Sequence, residues 1–180
     1  GHSFRRWGEA FIRPGAQGIG RWVYGDNFQN WGLVETASDI PGAPNDLSVY
    51  VSEGYRRGKS SKLRRYTIRI DGFVSVQAPL SGGEVVTKPF TYRGRQLAIN
   101  FSTSAAGGIK VEVQSHDGKP IAGYAEKDCD DIFGDEIERV VGWSGNSDLS
   151  GLAGEPVRLR FVMKDADLYA FQFRPETGGD

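Results

Sequence analysis

The feature that most constrains this fold is a strict two-residue alternation in the middle of the chain. In "RQLAINFST", Leu97, Ile99 and Phe101 alternate with Gln96, Ala98 and Asn100. In "GGIKVEVQS", Ile109, Val111 and Val113 alternate with Lys110, Glu112 and Gln114. A period of two puts every second side chain on one face, which suits a strand with one side in a core and does not suit a helix. "HDGK" (His116 to Lys119) then supplies an Asp-Gly hairpin turn. "GGEVVTKPFTY" and "IERVVGW" read as further strands. "EPVRLRFVMKDADLYAFQF" reads as a closing pair that turns at "KDAD". Val157, Leu159 and Phe161 form one face of its first strand; Leu168 and Ala170, or Tyr169, Phe171 and Phe173, form a face of the second. Twenty-five glycines among 180 residues fit many turns between short strands. The expectation is an all-β chain, with an antiparallel, jelly-roll-like β-sandwich over 73–175. Helix is invited only by "DCDDIFGDEIE", as one turn around Asp130 to Phe133.

Residues 1–72 are less regular. "WGEAFIR", "GRWVYG" and "WGLVET" are short aromatic segments broken by glycine, and "ASDIPGAPND" is a loop. "LSVYVSEGY" and "KLRRYTIRIDGF" are expected to pair as a hairpin across "RRGKSS". These strands are expected to pack on or beside the sandwich, as a separate unit or within one single domain. Charge divides at the same place: 11 Lys+Arg face 7 Asp+Glu up to Gly72, and 11 face 16 beyond it.

Several function classes are set aside on composition. The net charge is −1, and seven of the 22 basic residues crowd between Arg56 and Arg69. There they occupy a hairpin tip and the polar face of a strand, where charge protects an edge from further pairing. No RNP, KH or zinc motif accompanies them, so no nucleic-acid partner is expected. No apolar run is long enough to span a bilayer and no signal peptide is present, so no membrane partner is expected. The opening "GHS" reads as a cloning remnant, which makes the chain a fragment or mature domain. The single cysteine, Cys129, rules out an internal disulfide and any cysteine-based metal cluster. Its acidic neighbours are expected to keep the thiol inert. Neither G-x-S-x-G nor a phosphate-binding loop occurs.

Two groups of segments resemble a known family. One is "FRRWGEAFIRPG" with "LSVYVSEGY" and "LRRYTIRIDGFVSV". The other is "GGEVVTKPFTYRGRQLAINFSTSAAGGIKVEVQ" with "KDCDDIFGDEIERVVGW" and "DLSGLAGEPVRLRFVMKDADLYAFQF". Together they resemble the C-terminal part of bacterial glycoside-hydrolase-like proteins, large secreted or envelope proteins. In these a five-bladed propeller, like that of fructan and arabinan hydrolases, precedes a β-sandwich. The resemblance implies that Phe4 to about Ile70 match the last propeller strands or the linking region, and Phe73 to Phe173 the sandwich. It also implies a secreted or cell-envelope location and a catalytic domain of a larger enzyme as partner. The remainder of the propeller is absent from this chain.

Three kinds of site follow. Glycans are held by flat rings that stack on their C–H faces, with amides and Arg bonding the hydroxyls. "RWVYGDNFQNW" offers Trp22, Tyr24, Phe28 and Trp31 interleaved with Asn27, Gln29 and Asn30. Tyr55, Arg56 and Arg57 at the hairpin tip form a second group suited to an acidic sugar. Catalysis would need two carboxylates flanking the glycosidic bond; Glu53, with Glu9 or Glu35, is the available choice and none is favoured. A structural calcium would draw on Asp128, Asp130, Asp131, Asp135, Asp165 and Asp167. No cofactor is required. The expected function is a non-catalytic carbohydrate-binding module of a polysaccharide-degrading enzyme, with a polysaccharide or oligosaccharide as ligand. The alternatives are a glycoside hydrolase fragment using a carboxylate pair, and a structural domain that braces a propeller.

Overall fold

The computed structural model describes residues 2–6, 8–13, 15–16, 22, 27–54 and 61–175. The chain divides into two compact units, Gly1–Ile70 and Asp71–Asp180, each all-β and antiparallel. No helix among the described residues is long and apolar enough to cross a membrane.

The first unit is built on the expected hairpin. β1 is Phe28–Gln29, β2 is Val34–Thr36, β3 is Asp46–Glu53 and β4 is Lys62–Arg69. β4 pairs with the whole of β3, from Asp46 opposite Arg69 to Glu53 opposite Lys62. The other edge of β3 is taken by β1 and β2 end on end: Phe28 lies opposite Ser52 and Val34 opposite Ser48. β1 and β2 are therefore one strand interrupted at residues 30–33, where two extra residues shift the register. Gly32, at a φ of 87°, takes the left-handed conformation that this break requires. Val49 and Val51 bury one face of β3. On the other, the Ser48 and Thr36 hydroxyls bond each other at 2.7 Å.

The second unit is the β-sandwich. Its strands are β5 (Val76–Ala78), β6 (Gly83–Val86), β7 (Gln96–Ser115), β8 (Asp135–Val140) and β9 (Val157–Arg174), in the order β5-β9-β7-β8 with β6 also on β9. The two alternating segments seen in the sequence are not separate strands. They are the halves of one 20-residue strand, β7, and the expected closing pair is likewise one strand of 18 residues, β9. β7 folds back at its middle. The Val141 N–H donates to the Leu97 carbonyl at 2.9 Å. Two residues on, Trp143 Nε1 donates to the Val111 carbonyl at 2.8 Å. A straight strand would hold Leu97 and Val111 ~46 Å apart at ~3.3 Å per residue. The folded sheet thus closes on itself, and both halves of β7 feed one core: Leu97, Ile99 and Phe101 with Ile109, Val111 and Val113, around Trp143 and Leu149.

The bend has a local cause. Thr103 lies opposite Ala166 and Gly108 opposite Lys164, so residues 104–107 bulge from β7 while Asp165 bulges from β9. Asp165 sits at a φ of 42°, a conformation short polar side chains tolerate. "KDAD" is therefore a bulge and not a turn. The expected helical turn at Asp130 to Phe133 is displaced to Glu126–Asp128, because Cys129 and Ile132 are drawn into bridges with Trp143 and Ile109.

Tyr92 closes one end of the core. Its ring stacks on Phe173 at 3.8 Å between centroids, and its hydroxyl donates to the Leu149 carbonyl at 2.6 Å. Burial, helped by Tyr124 and Asp148, pushes this phenol up to about 12. A raised phenol contributes stability that is complete below the unfolded value of about 10 and is lost as pH climbs towards 12. Urea unfolding is expected to show that alkaline loss. In Tyr92→Phe it should be blunted, with ~1–2 kcal/mol lost at neutral pH from the orphaned carbonyl.

Candidate functional site

Register across the first unit assembles a face that the sequence showed only in part. Phe28 lies opposite Ser52, which lies opposite Leu63. One row along, the Asn30 N–H donates to the Tyr50 carbonyl at 2.8 Å, and Tyr50 lies opposite Arg65. Phe28, Asn30, Tyr50, Leu63 and Arg65 therefore share one side of the sheet. Diagonal neighbours such as Phe28 and Tyr50 sit ~7–8 Å apart, close enough for rings to form one surface. Phe28 and Leu63 are exposed, Tyr50 half-buried. The Arg65 guanidinium is clamped by Asp39, whose hydrogen bond and charge raise its pKa further. Trp31 lies in the interruption between β1 and β2, with its side chain entirely in solvent (relative exposure 104%). Val34, opposite Ser48, adds a further exposed apolar side chain to this side of the sheet.

The remaining expected residues are distributed as follows. Asn27, at a φ of 60°, starts β1 by donating its N–H to the Ser52 carbonyl at 2.9 Å. Gln29 lies opposite Val51 and so belongs to the other face of the sheet from Phe28. Trp22 is exposed, and its indole N–H donates to the Gly15 carbonyl at 3.1 Å. Tyr24, Tyr55, Arg56 and Arg57 lie outside the described residues. Tyr50 and Arg65 were not among the expected site residues. Their joint placement depends on the strand register, and only the period-two pattern of both strands hinted at it.

The carboxylates are each engaged elsewhere. Glu53 pairs with Arg64 at 2.8 Å and accepts the Tyr66 hydroxyl at 2.8 Å. Glu35 accepts from Asn45 at 2.8 Å, and Glu9 pairs with Arg13 at 2.6 Å. Glu35 lies opposite Leu47, six positions from Glu53 along β3. That is ~20 Å of strand, whereas glycosidases place their two carboxyl groups ~5–9.5 Å apart.

The acids considered for calcium lie in the second unit. Asp128 accepts the Ala125 N–H and Asp130 the Gly145 N–H, both at 3.4 Å. Asp131 pairs with Lys110 at 2.6 Å, and Asp167 accepts the Ser75 hydroxyl at 2.6 Å. Asp135 begins β8 opposite Ser102, and Asp165 forms the β9 bulge. Among the described residues no three Asp, Glu, His or Cys side chains gather as a metal-binding group. The Cys129 thiol is raised chiefly by burial, with the acids a smaller cause, and it accepts the Val111 N–H at 3.2 Å.

The second unit also contains a cleft of about 660 Å³ that sequence reasoning missed. It lies at the bend, between the β6 approach (Ser81 to Glu84) and the segment Asp131 to Phe133. A bend made by two bulges is invisible to local pattern, and so is the hollow beside it.

No family model matches the sequence, and no curated protein matches it. One solved structure that matches is the crystal structure of a glycoside hydrolase family 43 arabinoxylan arabinofuranohydrolase from Bacillus subtilis in complex with cellotetraose. The identity is 16% and the TM-score 0.34, with 80% of this chain and 24% of that chain covered. This chain thus spans about a quarter of that enzyme's length. A likeness of this degree decides neither topology nor chemistry.

Proposed function

We propose that this chain is a non-catalytic carbohydrate-binding module that holds a polysaccharide-degrading catalytic domain against its substrate. The observation that carries the reading is Trp31, a full indole left in water, three residues along the same interrupted edge strand from the exposed Phe28. An apolar strip rimmed by amides and a clamped guanidinium marks a binding surface. Sugar rings have apolar C–H faces that stack on aromatic rings, and hydroxyls at their rim that bond groups such as Asn30 and the Tyr50 hydroxyl. Covering one face of Trp31 buries ~100 Å² of apolar surface, worth ~2.5 kcal/mol. The ligand is a neutral glycan chain, because Arg65 is already committed to Asp39. Such a polymer is met outside the cell or at the envelope, and that is where we place the protein.

Affinity electrophoresis against soluble polysaccharides tests this. Arabinoxylan, β-glucan and hydroxyethylcellulose serve as neutral gels, polygalacturonate and alginate as anionic ones. At least one neutral gel is expected to retard the wild type. Trp31→Ala should weaken binding about 60-fold, with stability changed by no more than ~0.5 kcal/mol for so exposed a residue. Retardation that survives Trp31→Ala undiminished would remove the ring face from the account. Release of reducing ends, lost in Glu53→Gln, would replace the binding module with a hydrolase.

A further inference from the structure

We infer that the cleft at the bend of the second unit is a separate binding site for a neutral sugar chain. The inference takes its ligand class from the glycan-binding reading above, and its location from different residues. Across the floor of the cleft runs one row of three strands: Glu84 on β6, Val162 on β9 and Lys110 on β7. Phe133 stands at one wall with two thirds of its surface exposed (66%). Nothing in the core uses this ring, which leaves a flat apolar surface facing a hollow of ligand size.

The polar groups around the hollow are balanced and held in place. Glu84 and Asp131 supply two negative charges, and Lys110 and Lys164 two positive ones. Lys110 Nζ is fixed between Asp131 and the Cys129 carbonyl, both at 2.6 Å, and Glu84 is fixed by Arg160 at 2.7 Å. An ionic ligand gains little from a balanced ring of charge. A hydroxyl group is both donor and acceptor, and it can use both signs at once. Gly82, Gly83, Gly107 and Gly108 line the hollow without side chains, so it stays open and backbone groups are within reach. A ring to stack on, fixed polar groups of both signs and an open glycine-lined wall fit a polyhydroxylated ring better than a phosphate, a peptide or a lipid.

Met163 borders the cleft with its side chain packed into the core behind it (3% exposed), and it is the only methionine in the chain. Protein carrying a 13C-methyl methionine label therefore gives one NMR signal that reports this site. The probes are neutral cello-, xylo- and arabino-oligosaccharides, with trigalacturonate as the charged control. At least one neutral probe is expected to move the Met163 signal saturably. Phe133→Ala should weaken that titration about tenfold, and Asp131→Ala severalfold should Phe133→Ala fold poorly. A variant carrying both Phe28→Ala and Trp31→Ala should titrate as the wild type does. A Met163 signal that stays still under every probe overturns the site. So does a shift seen only with trigalacturonate, or one equally strong in Phe133→Ala. If the wild type is retarded in gels through Trp31 while Met163 stays still, the cleft fails and the ring face stands. If no glycan is bound at all, both fail.

Discussion

Gly107→Ala should cost the second unit ~3 kcal/mol or more and lower its melting temperature by roughly 10 °C. A methyl group at this position would meet the Asp165 carbonyl oxygen and lie 2.7 Å from the Lys164 carbonyl oxygen. Both are backbone atoms of the facing strand, so neither can rotate away. β9 would have to part from β7 where the two strands bend together, and the fold-back that closes the sandwich depends on that bend. Gly151→Ala is the matched control, since nothing lies within 4 Å of its added methyl and its backbone is not left-handed. It should change stability by no more than ~0.5 kcal/mol. Urea titration of the two variants checks the contrast. Equal, small effects would mean that the bend is not the close approach described.

Arg160→Met should destabilise by ~2–3 kcal/mol at neutral pH. Arg160 joins three carboxylates: Glu84 at 2.7 Å, Glu126 at 2.8 Å and Glu112 at 3.6 Å. Glu112 is the critical one, being buried on β7. Burial pushes its pKa up, but hydrogen bonds from Gln114 and the Glu126 N–H, with the Arg160 charge, outweigh that and hold it below the usual carboxylate value. A depressed carboxylate contributes stability that is present above its unfolded pKa of about 4.5 and is lost as pH falls through the folded one. Without Arg160, Glu112 is a buried charge with only neutral donors. The deficit of Arg160→Met should therefore shrink in acid, as Glu112 takes up a proton and its buried charge disappears. Adding Glu112→Gln at neutral pH should recover ~1–2 kcal/mol, and a double-mutant cycle measures that coupling. A deficit independent of pH and of Glu112 would assign Arg160 to packing alone.

How much of this was legible in the sequence follows from what sets each feature. Leu97, Ile99, Phe101, Ile109, Val111 and Val113 alternate in the sequence and are all buried; Ala98, Asn100, Glu112 and Gln114 between them are buried too, so the period of two marks the apolar face of β7 and not which of its faces is covered. β9 was legible only in pieces. Its inward residues are odd-numbered up to Met163, become Ala166 and Leu168 after the first bulge, and return to Phe173 after a second shift near Tyr169. Both alternatives read for its last stretch were therefore partly correct, since each bulge flips the face. Asp165 looks the same to a local reading whether it turns a hairpin or bulges a strand. In the first unit, composition picked out Phe28 and Trp31. Tyr50 and Arg65 join them only through the offset at residues 30–33, which no local pattern encodes.

A neutral glycan that stacks on the exposed rings of the first unit should bind without help from charge. The measurement that tests it most directly is the dissociation constant of the intact chain for a neutral polysaccharide at low and at high salt. Raising salt from ~0.01 M to ~1 M shortens the screening length from ~30 Å to ~3 Å. Binding by rings should keep its affinity across that range and weaken about 60-fold in Trp31→Ala. Binding confined to anionic glycans, abolished by salt and untouched by Trp31→Ala, would contradict the account and point to the basic hairpin around Lys62 to Arg69.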